Sequence, residues 1–440
     1  MKYEIVKDPI YGYIKLFDHE IQIIDTPIFQ RLRRLQQATA ASFAYPSATH
    51  TRFSHSLGVM HVAGEFVNSI LSEVDKKERD HYYFLMRLWG LTHDIGHGPF
   101  SHLFDEVVLR DYGINHEILG AEILRKSACI PDEIPLPNGD MITKDEVAQL
   151  FGIKDIEEFP LKEPIGKSNI SEQVLYFISF GAYGADLIDY IQRDSYFTGA
   201  GYGNIDWHRL LYASVPEGDK LALDTRGEEA FDSLLLARLF MFSAVYYHRT
   251  TRAAIKIMEF LLREAESKGI FKDVLVKENE RVHVDLDKFS HLDEDSLLCR
   301  PELARSEFVK HLIFRTIPYS RSIEKHISIE SKDLSGFIED GSINMLIRNS
   351  LPKKLQSLPP SSFFVDTPKI PTNPMEGELF IYLYDSKSGK VEPRNIWETR
   401  WGKLSREMAI VRVYIHDDYG KYEEDIVKAF PKYRERESFY

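Results

Sequence analysis

The sequence predicts a mainly α-helical protein, with a helical core over residues 1–270 and a smaller α+β lobe over residues 271–440. Three observations carry this. Apolar residues recur at helical spacing through most segments before residue 270. Beyond it, "SSFFVD", "GELFIYLYD" and "AIVRVYIHDD" are rich in β-branched and aromatic residues and read as strands. Prolines gather at 352–375, where they read as linkers.

The elements follow in order. "YEIVKDPIYGYIKL" (3–16) alternates apolar and polar residues around a Pro/Gly turn and predicts a β-hairpin. "PIFQRLRRLQQA" predicts a helix, capped by Asp25 or Thr26, with Pro27 in its first turn. "SLGVMHVAGEFVNSILSEV", "YYFLMRLWGLTHDIG", "HEILGAEILRK" and "GADLIDYIQRD" predict further helices. Residues 131–170 break this pattern with prolines and acids, and carry one short helix opened by a Thr143–Glu146 capping box. They read as an insertion between core helices. Two long apolar-striped helices are expected at 228–248 and 250–267.

Composition excludes several classes. Of 440 residues, 43% are hydrophobic, with 27 Phe and 23 Tyr, which is a globular composition. The formal net charge of −13 makes the chain a poor general binder of nucleic acid or of an anionic membrane. Its two cysteines, Cys129 and Cys299, form no metal-type pair, as expected in a reducing compartment. Residues 1–16 show no apolar signal region, and no unbroken apolar run is long enough to span a membrane. The expectation is a soluble, cytoplasmic protein.

The chemistry concentrates in "LTHDIGHGPFSH" (91–102). His93 and Asp94 adjoin near a helix end, from which both reach one ion. His97 follows His93 by four residues, on the same face if the helix continues. Gly96, Gly98 and Pro99 then turn the chain beside His97 and His102. Imidazole with carboxylate suits Mn, Fe, Zn or Ni, and Mg where carboxylate and water dominate. Further ligands are available. "TRFSHSLGV" places His55 at a helix start, and "GADLIDYIQRD" places Asp186, Asp189, Tyr190, Arg193 and Asp194 along one helical stripe. Taken singly, each has an ordinary explanation: a capping histidine, a solvated acidic face, a polar loop. Together they supply histidine, histidine–aspartate and aspartate in sequence, each with polar neighbours.

That order, with the flanks "DTPIFQRLRRLQQ", "SATHTRFSHSLGV", "LTHDIGHGPFSH", "NHE" and "DLIDYIQRDSYFTG", closely resembles the HD-domain deoxynucleoside triphosphate triphosphohydrolases. The resemblance covers residues 1–270, is to the SAM-and-HD-domain branch, and includes no SAM domain. It implies a divalent metal on His55, His93, Asp94 and Asp186. It implies water attack on the α-phosphorus, releasing deoxynucleoside and tripolyphosphate. His97, His102 and His116 fall near the phosphates, with His102 the first choice of proton donor and His116 the second, and Asp194 is placed to orient a histidine. Arg52 and Arg238 match phosphate-side positions. Gln37 and Tyr190 match sugar or base contacts, and Tyr246 an aromatic under the deoxyribose.

The resemblance also implies nucleotide-driven assembly into a homo-oligomer, dimer or tetramer. Asp25, Gln30 and Arg33 match a guanine-nucleotide activator site, and Arg209, His248 and Arg249 a second activator site. There are departures. Glu4 and Lys7 replace a lysine and an asparagine of the activator site. Leu187, Ala38, Phe242 and Tyr247 replace a lysine, a leucine, a histidine and a glutamine of the substrate pocket. Two other functions stay open: an HD phosphohydrolase acting on another nucleotide or phosphate ester, and a non-enzymatic nucleotide-sensing scaffold. Against the cyclic-dinucleotide branch, His97 stands where "HDIGK" has lysine, and "GYP" is missing.

Overall fold

The computed structural model describes residues 2–152, 172–218, 220–278, 281–327, 343–367, 380–395 and 409–429. Tyr3–Asp8 and Gly12–Phe17 form the expected antiparallel hairpin. Asp8 closes its turn, its Oδ1 accepting from the backbone N–H of Ile10 at 2.8 Å and Tyr11 at 3.1 Å. The hairpin is fastened to the core by Arg87, which donates to Glu20 at 2.6 and 2.9 Å and to the Lys15 carbonyl at 2.7 Å.

The helices Arg52–Ile70, Lys76–Thr92 and Ala185–Thr198 pack together as the centre of the molecule. His116–Lys126, Glu228–Met241 and Arg249–Ser267 surround them. The stretch Val174–Thr198 is long and apolar enough to cross a membrane, a property that counting unbroken apolar residues missed. However, 78% of its most apolar window is buried within the protein, as for a core helix. Its apolar positions pack inward, and its acids reach the site described below.

Two expectations change. "PIFQRLRRLQQA" is not one helix. Thr26 caps a single α turn, Pro27–Gln30, which passes into a 3-10 turn, Arg31–Arg34, and then into extended chain at Leu35. Tertiary contacts override helix propensity here. Arg31 is fully buried, donating to the Ile95 and Leu292 carbonyls at 2.8 and 2.9 Å, and the Arg52 N–H captures the Leu35 carbonyl. The Lys76–Thr92 helix also stops before His93, so His97 is not placed by helical periodicity. The later helix Glu228–Met241 runs into a π-helical turn, Phe242–Tyr246, before the chain bends at His248.

In the 131–170 segment, Glu133–Pro135 pairs with Met141–Thr143, and the Thr143–Glu146 capping box opens the helix Lys144–Gln149. Residues 153–171 lie outside the described residues. The three expected strands are found at Phe363–Asp366, Phe380–Asp385 and Ala409–Ile415. Within 352–375, the short helix Lys353–Gln356 precedes the first of them. Ala409–Ile415 lies between Phe363–Asp366 and Arg321–Ile327, over a small core of its own that includes Ile347, Phe363, Val413 and Ile426. Phe380–Asp385, by contrast, pairs in parallel with Lys220–Asp224. Phe289, Leu292 and Leu297 also belong to the main core. Chain beyond residue 270 therefore contributes to both bodies.

Candidate metal centre and substrate cavity

His93 is the C-cap of the Lys76–Thr92 helix. Its Nδ1 lies 2.8 Å from the Gly90 carbonyl. A carbonyl only accepts, so Nδ1 carries the proton and Nε2 presents a bare lone pair. That Nε2 is buried and makes no hydrogen bond. It faces carboxylate oxygens, Asp94 Oδ1 at 3.3 Å and Asp186 Oδ1 at 4.0 Å. His55, at the start of the Arg52–Ile70 helix, directs Nδ1 to Asp189 Oδ2 at 2.7 Å, and its Nε2 lies 3.0 Å from Asp186 Oδ1 and 3.8 Å from Asp94 Oδ2. Ligand atoms of His55, His93 and Asp186 all fall within 4.8 Å of one another. Imidazole nitrogens and carboxylate oxygens converge here, a donor set that a cation can share.

Burial lowers the His93 pKa, keeping it neutral as a ligand must be. Burial opposes the charged form of His55, yet hydrogen bonds to Asp186 and Asp189, with the charges of Asp189 and Asp94, raise its pKa to about 10, so a bound cation must displace the Nε2 proton that His55 directs at Asp186. Burial likewise opposes ionisation of Asp94, but Arg52, His93 and His97 hold it well below the usual carboxylate range. The negative potential of this corner therefore attracts positive charge.

Asp94 is pinned by Arg52, whose Nη1 donates to Oδ2 at 2.7 Å while its Nε donates to Ser101 Oγ at 2.8 Å. Ser101 and Phe100 both adopt left-handed backbone, φ 60° and 64°. Such strain in non-glycine residues costs of order 1–3 kcal/mol each and persists where surrounding contacts fix it. Gly96 and Gly98 are needed for close approach. A Cβ on Gly96 would lie 1.9 Å from the His116 carbonyl, and one on Gly98 2.4 Å from the Phe104 ring.

A second cluster adjoins the first. Ligand-type atoms of His97, His102, Asp105 and His116 lie within 4.8 Å of one another. The His97 and His116 rings stack at 3.7 Å, and His97 Nε2 lies 3.3 Å from Asp94 Oδ1. Asp105 Oδ2 accepts from His116 Nδ1 and lies 3.8 Å from His102 Nδ1. Although burial raises the pKa of Asp105, the neighbouring His102 and the hydrogen-bonded His116 bring it far below normal. His102 is the exposed member, its side chain 70% accessible.

Both clusters open on one cavity of about 340 Å³, within the range of small-molecule sites. Its other walls include Gln37, Ala38, Trp89, Phe180, Tyr190, Asp194, Phe242 and Tyr246. Gln37 Oε1 and Thr251 Oγ1, also at the wall, are buried without hydrogen-bond partners. Asp194 is fixed from two sides, by His50 Nε2 at 2.6 Å and by the Tyr246 hydroxyl, which donates at 2.5 Å. The histidine it orients is thus His50, not one of the phosphate-side trio.

The structure gathers His55, His93, Asp94, Asp186, His97, His102, His116, Asp194, Gln37, Arg52, Tyr190 and Tyr246 at this cavity. Arg238 is outside its lining, 5.2 Å from the Phe242 ring. Of the four pocket departures, Ala38 and Phe242 line the cavity, and Leu187 and Tyr247 are buried behind it. Gln30 and Arg33 meet on the surface, Arg33 Nε donating to Gln30 Oε1 at 2.8 Å, near exposed Asp25. Arg209 donates to the Arg226 carbonyl at 2.8 Å, His248 caps the Arg249–Ser267 helix, and Arg249 lines a separate polar cavity. Sequence reasoning missed Asp105, His50 and Gly58, and listed Asp189 and Arg193 without a role. A usable signal for Asp105 was its i+3 spacing from His102.

Fold and site together define a helical core with a histidine–aspartate cluster that could hold a metal. Residues 52–171 match the HD domain and residues 205–306 the HD-associated region, so the chain carries an HD domain. It is similar to an uncharacterised protein of Methanocaldococcus jannaschii, 32% identical over 74% of this chain and 63% of the relative. It is 33% identical to YwfO of Bacillus subtilis, over 60% of this chain and 56% of the relative. These matches span less than two thirds of either relative's own length. It is also similar to the deoxynucleoside triphosphate triphosphohydrolase SAMHD1 of Gallus gallus, 28% identical over 93% of this chain and 72% of that protein. The fold matches a hypothetical protein from Aquifex aeolicus, with TM-score 0.66 and 24% identity over 98% of this chain and all of the other. A phosphohydrolase from Bacteroides thetaiotaomicron matches with TM-score 0.65 and 21% identity, covering 94% of this chain and all of its own.

Proposed function

We propose that the chain hydrolyses deoxynucleoside triphosphates to deoxynucleoside and tripolyphosphate. The observation that carries the reading is the pairing of two clusters across one cavity. On one side His55, His93, Asp94 and Asp186 converge, with the His93 Nε2 lone pair buried and unshared. On the other, His97, His102 and His116 gather around Asp105.

His55, His93, Asp94 and Asp186 would hold a divalent metal, Mn, Mg, Fe, Zn or Ni. When bound, it supplies a water of lowered pKa and neutralises α-phosphate charge. Arg52 and His97 adjoin that corner and offer donors to phosphate oxygens. His102 is the proposed proton donor to the leaving 5′-oxygen, with His116 second. Asp105 fixes the His116 imidazole by a hydrogen bond and lies 3.8 Å from His102 Nδ1, and imidazole is a side chain suited to proton transfer. Tyr246 and Tyr190 provide the surface for deoxyribose, Gln37 a polar contact, and Asp194 with His50 holds the Tyr246 ring in place. Arg238 acts from behind this wall.

Asp25, Gln30 and Arg33, and separately Arg209, His248 and Arg249, are proposed activator-nucleotide positions in a homo-oligomer. Their support is the motif resemblance of these positions alone; the relatives named as deoxynucleoside triphosphate triphosphohydrolases support the substrate reading. A second reading, hydrolysis of another nucleotide or phosphate ester, is favoured by Ala38 and Phe242, which reshape the cavity wall. The test is a panel of the four deoxynucleotides with Mg, Mn or Fe, with and without GTP or dGTP. Deoxynucleoside with tripolyphosphate supports the proposal. Turnover confined to another phosphate ester supports the second reading.

A further inference from the structure

The ligand histidine His55 stands at the end of a buried charge chain that begins in the N-terminal hairpin. Asp189 Oδ2 takes the His55 Nδ1–H at 2.7 Å. Arg193 grips Asp189 with two donors at 2.9 Å each, Nε to Oδ2 and Nη2 to Oδ1. Its third arm, Nη1, donates to Asp8 Oδ2 at 2.8 Å. His55 is 1% exposed, Asp189 and Arg193 0%, and Asp8 6%. The close fit extends to the facing helix. A Cβ on Gly58 would lie 1.8 Å from Asp189 Oδ1 and 2.4 Å from Arg193 Nη2. Asp8 serves two ends at once, for its other oxygen closes the hairpin turn at Ile10 and Tyr11.

We propose that Asp8 is a positioning residue for the metal centre, through which the N-terminal hairpin sets the cation affinity of His55. The physical reason is charge sharing. One guanidinium faces two carboxylates, so the chain Asp8–Arg193–Asp189 carries a net negative charge that is directed onto the His55 Nδ1–H. A carboxylate on the far nitrogen of a ligating imidazole fixes its tautomer and raises its basicity. Removing the Asp8 charge leaves the full charge of Arg193 on Asp189. Asp189 then polarises His55 less, and one negative charge is lost from the neighbourhood of the cation. Because Asp8 also defines the hairpin turn, displacement of the hairpin and loss of the charge act in the same direction. Linkage makes this reciprocal: a cation at the centre stabilises the docked hairpin. This inference rests on the metal reading of the His55 cluster but not on the identity of the substrate.

The test is Asp8→Asn in the full chain, with Mn2+ binding measured by equilibrium dialysis or calorimetry. Asparagine retains an acceptor for the hairpin turn while losing the charge that faces Arg193. The dissociation constant of the variant is expected to rise, by less than the about 10–100-fold that follows loss of a direct partner of a metal ligand, because Asp8 acts through Arg193 and Asp189. Asp8→Glu, which keeps the charge, is expected to recover part of the affinity. In the wild type, Mn2+ is expected to slow hydrogen exchange at the amides of Ile10 and Tyr11. Equal Mn2+ affinity in wild type and Asp8→Asn overturns the proposal, as does a fall in melting temperature with no change in affinity. Absence of Mn2+ binding in the wild type overturns both this proposal and the metal reading. Mn2+ binding without deoxynucleotide hydrolysis leaves the coupling standing and removes only the proposed substrate.

Discussion

Gly58→Ala is the sharpest perturbation of the buried network that supports His55. In an exposed helix interior this change stabilises by about 1 kcal/mol, because alanine is the better helix former. At Gly58 the new methyl would sit 1.8 Å from Asp189 Oδ1, 2.4 Å from Arg193 Nη2 and 2.6 Å from Asp189 Cγ. None of these is the free end of a flexible side chain: both residues lie on one core helix and grip each other at 2.9 Å. Relief therefore requires the helices to separate or the ion pair to open. Overpacking costs about 1–3 kcal/mol, and breaking a buried pair about 3–5 kcal/mol. Less the propensity gain of about 1 kcal/mol, the first route leaves a net loss of about 0–2 kcal/mol and the second of about 2–4 kcal/mol. Denaturant unfolding followed by circular dichroism reads this directly, and Mn2+ affinity should fall with it. A variant as stable as the wild type, with unchanged Mn2+ affinity, would refute the reasoning.

Further outcomes follow from the same geometry. Asp105→Asn removes the charge that fixes His116 and adjoins His102, so turnover should fall by about 10²–10⁴-fold with Mn2+ binding retained; parallel loss of metal binding would contradict the assignment of two clusters. His93→Ala deletes the Nε2 donor, and dialysis should show Mn2+ binding lost while the helix, whose stop does not depend on that nitrogen, survives by circular dichroism. Burial raises the Glu294 pKa from 4.5 to about 8, against hydrogen bonds from Gln36 and Phe100. An acid whose folded pKa is raised contributes stability fully below about pH 4.5 and loses it as pH rises toward 8. Glu294→Gln should therefore flatten melting temperature against pH over that window, and an unchanged slope would count against it.

The sequence reading reached the cavity because its parts are local. His93–Asp94, the glycine turn and the Asp186–Asp194 stripe are each short, and the stripe lies in a stretch that shows helical periodicity. What was not legible was long-range. Asp8 and Arg193 are 185 positions apart, and no periodicity links them. Asp194 was expected to orient a histidine, and the histidine it contacts is His50, outside the main motif. The helix expected after Thr26 failed for the same reason: Arg31 is buried against carbonyls at positions 95 and 292, and tertiary contacts outweigh propensity. The strands of the last third were readable from composition. The parallel pairing of Phe380–Asp385 with Lys220–Asp224 was not, because partners in a sheet leave no mark in either strand alone.

The central claim is the chemistry at the two facing clusters. The measurement is 31P NMR of the phosphate products, with chromatography of the nucleoside, formed from a deoxynucleoside triphosphate with Mg2+ and run beside His93→Ala. Tripolyphosphate and deoxynucleoside are expected from the wild type and neither from the variant. Monophosphate with pyrophosphate, or equal turnover by both proteins, would contradict it.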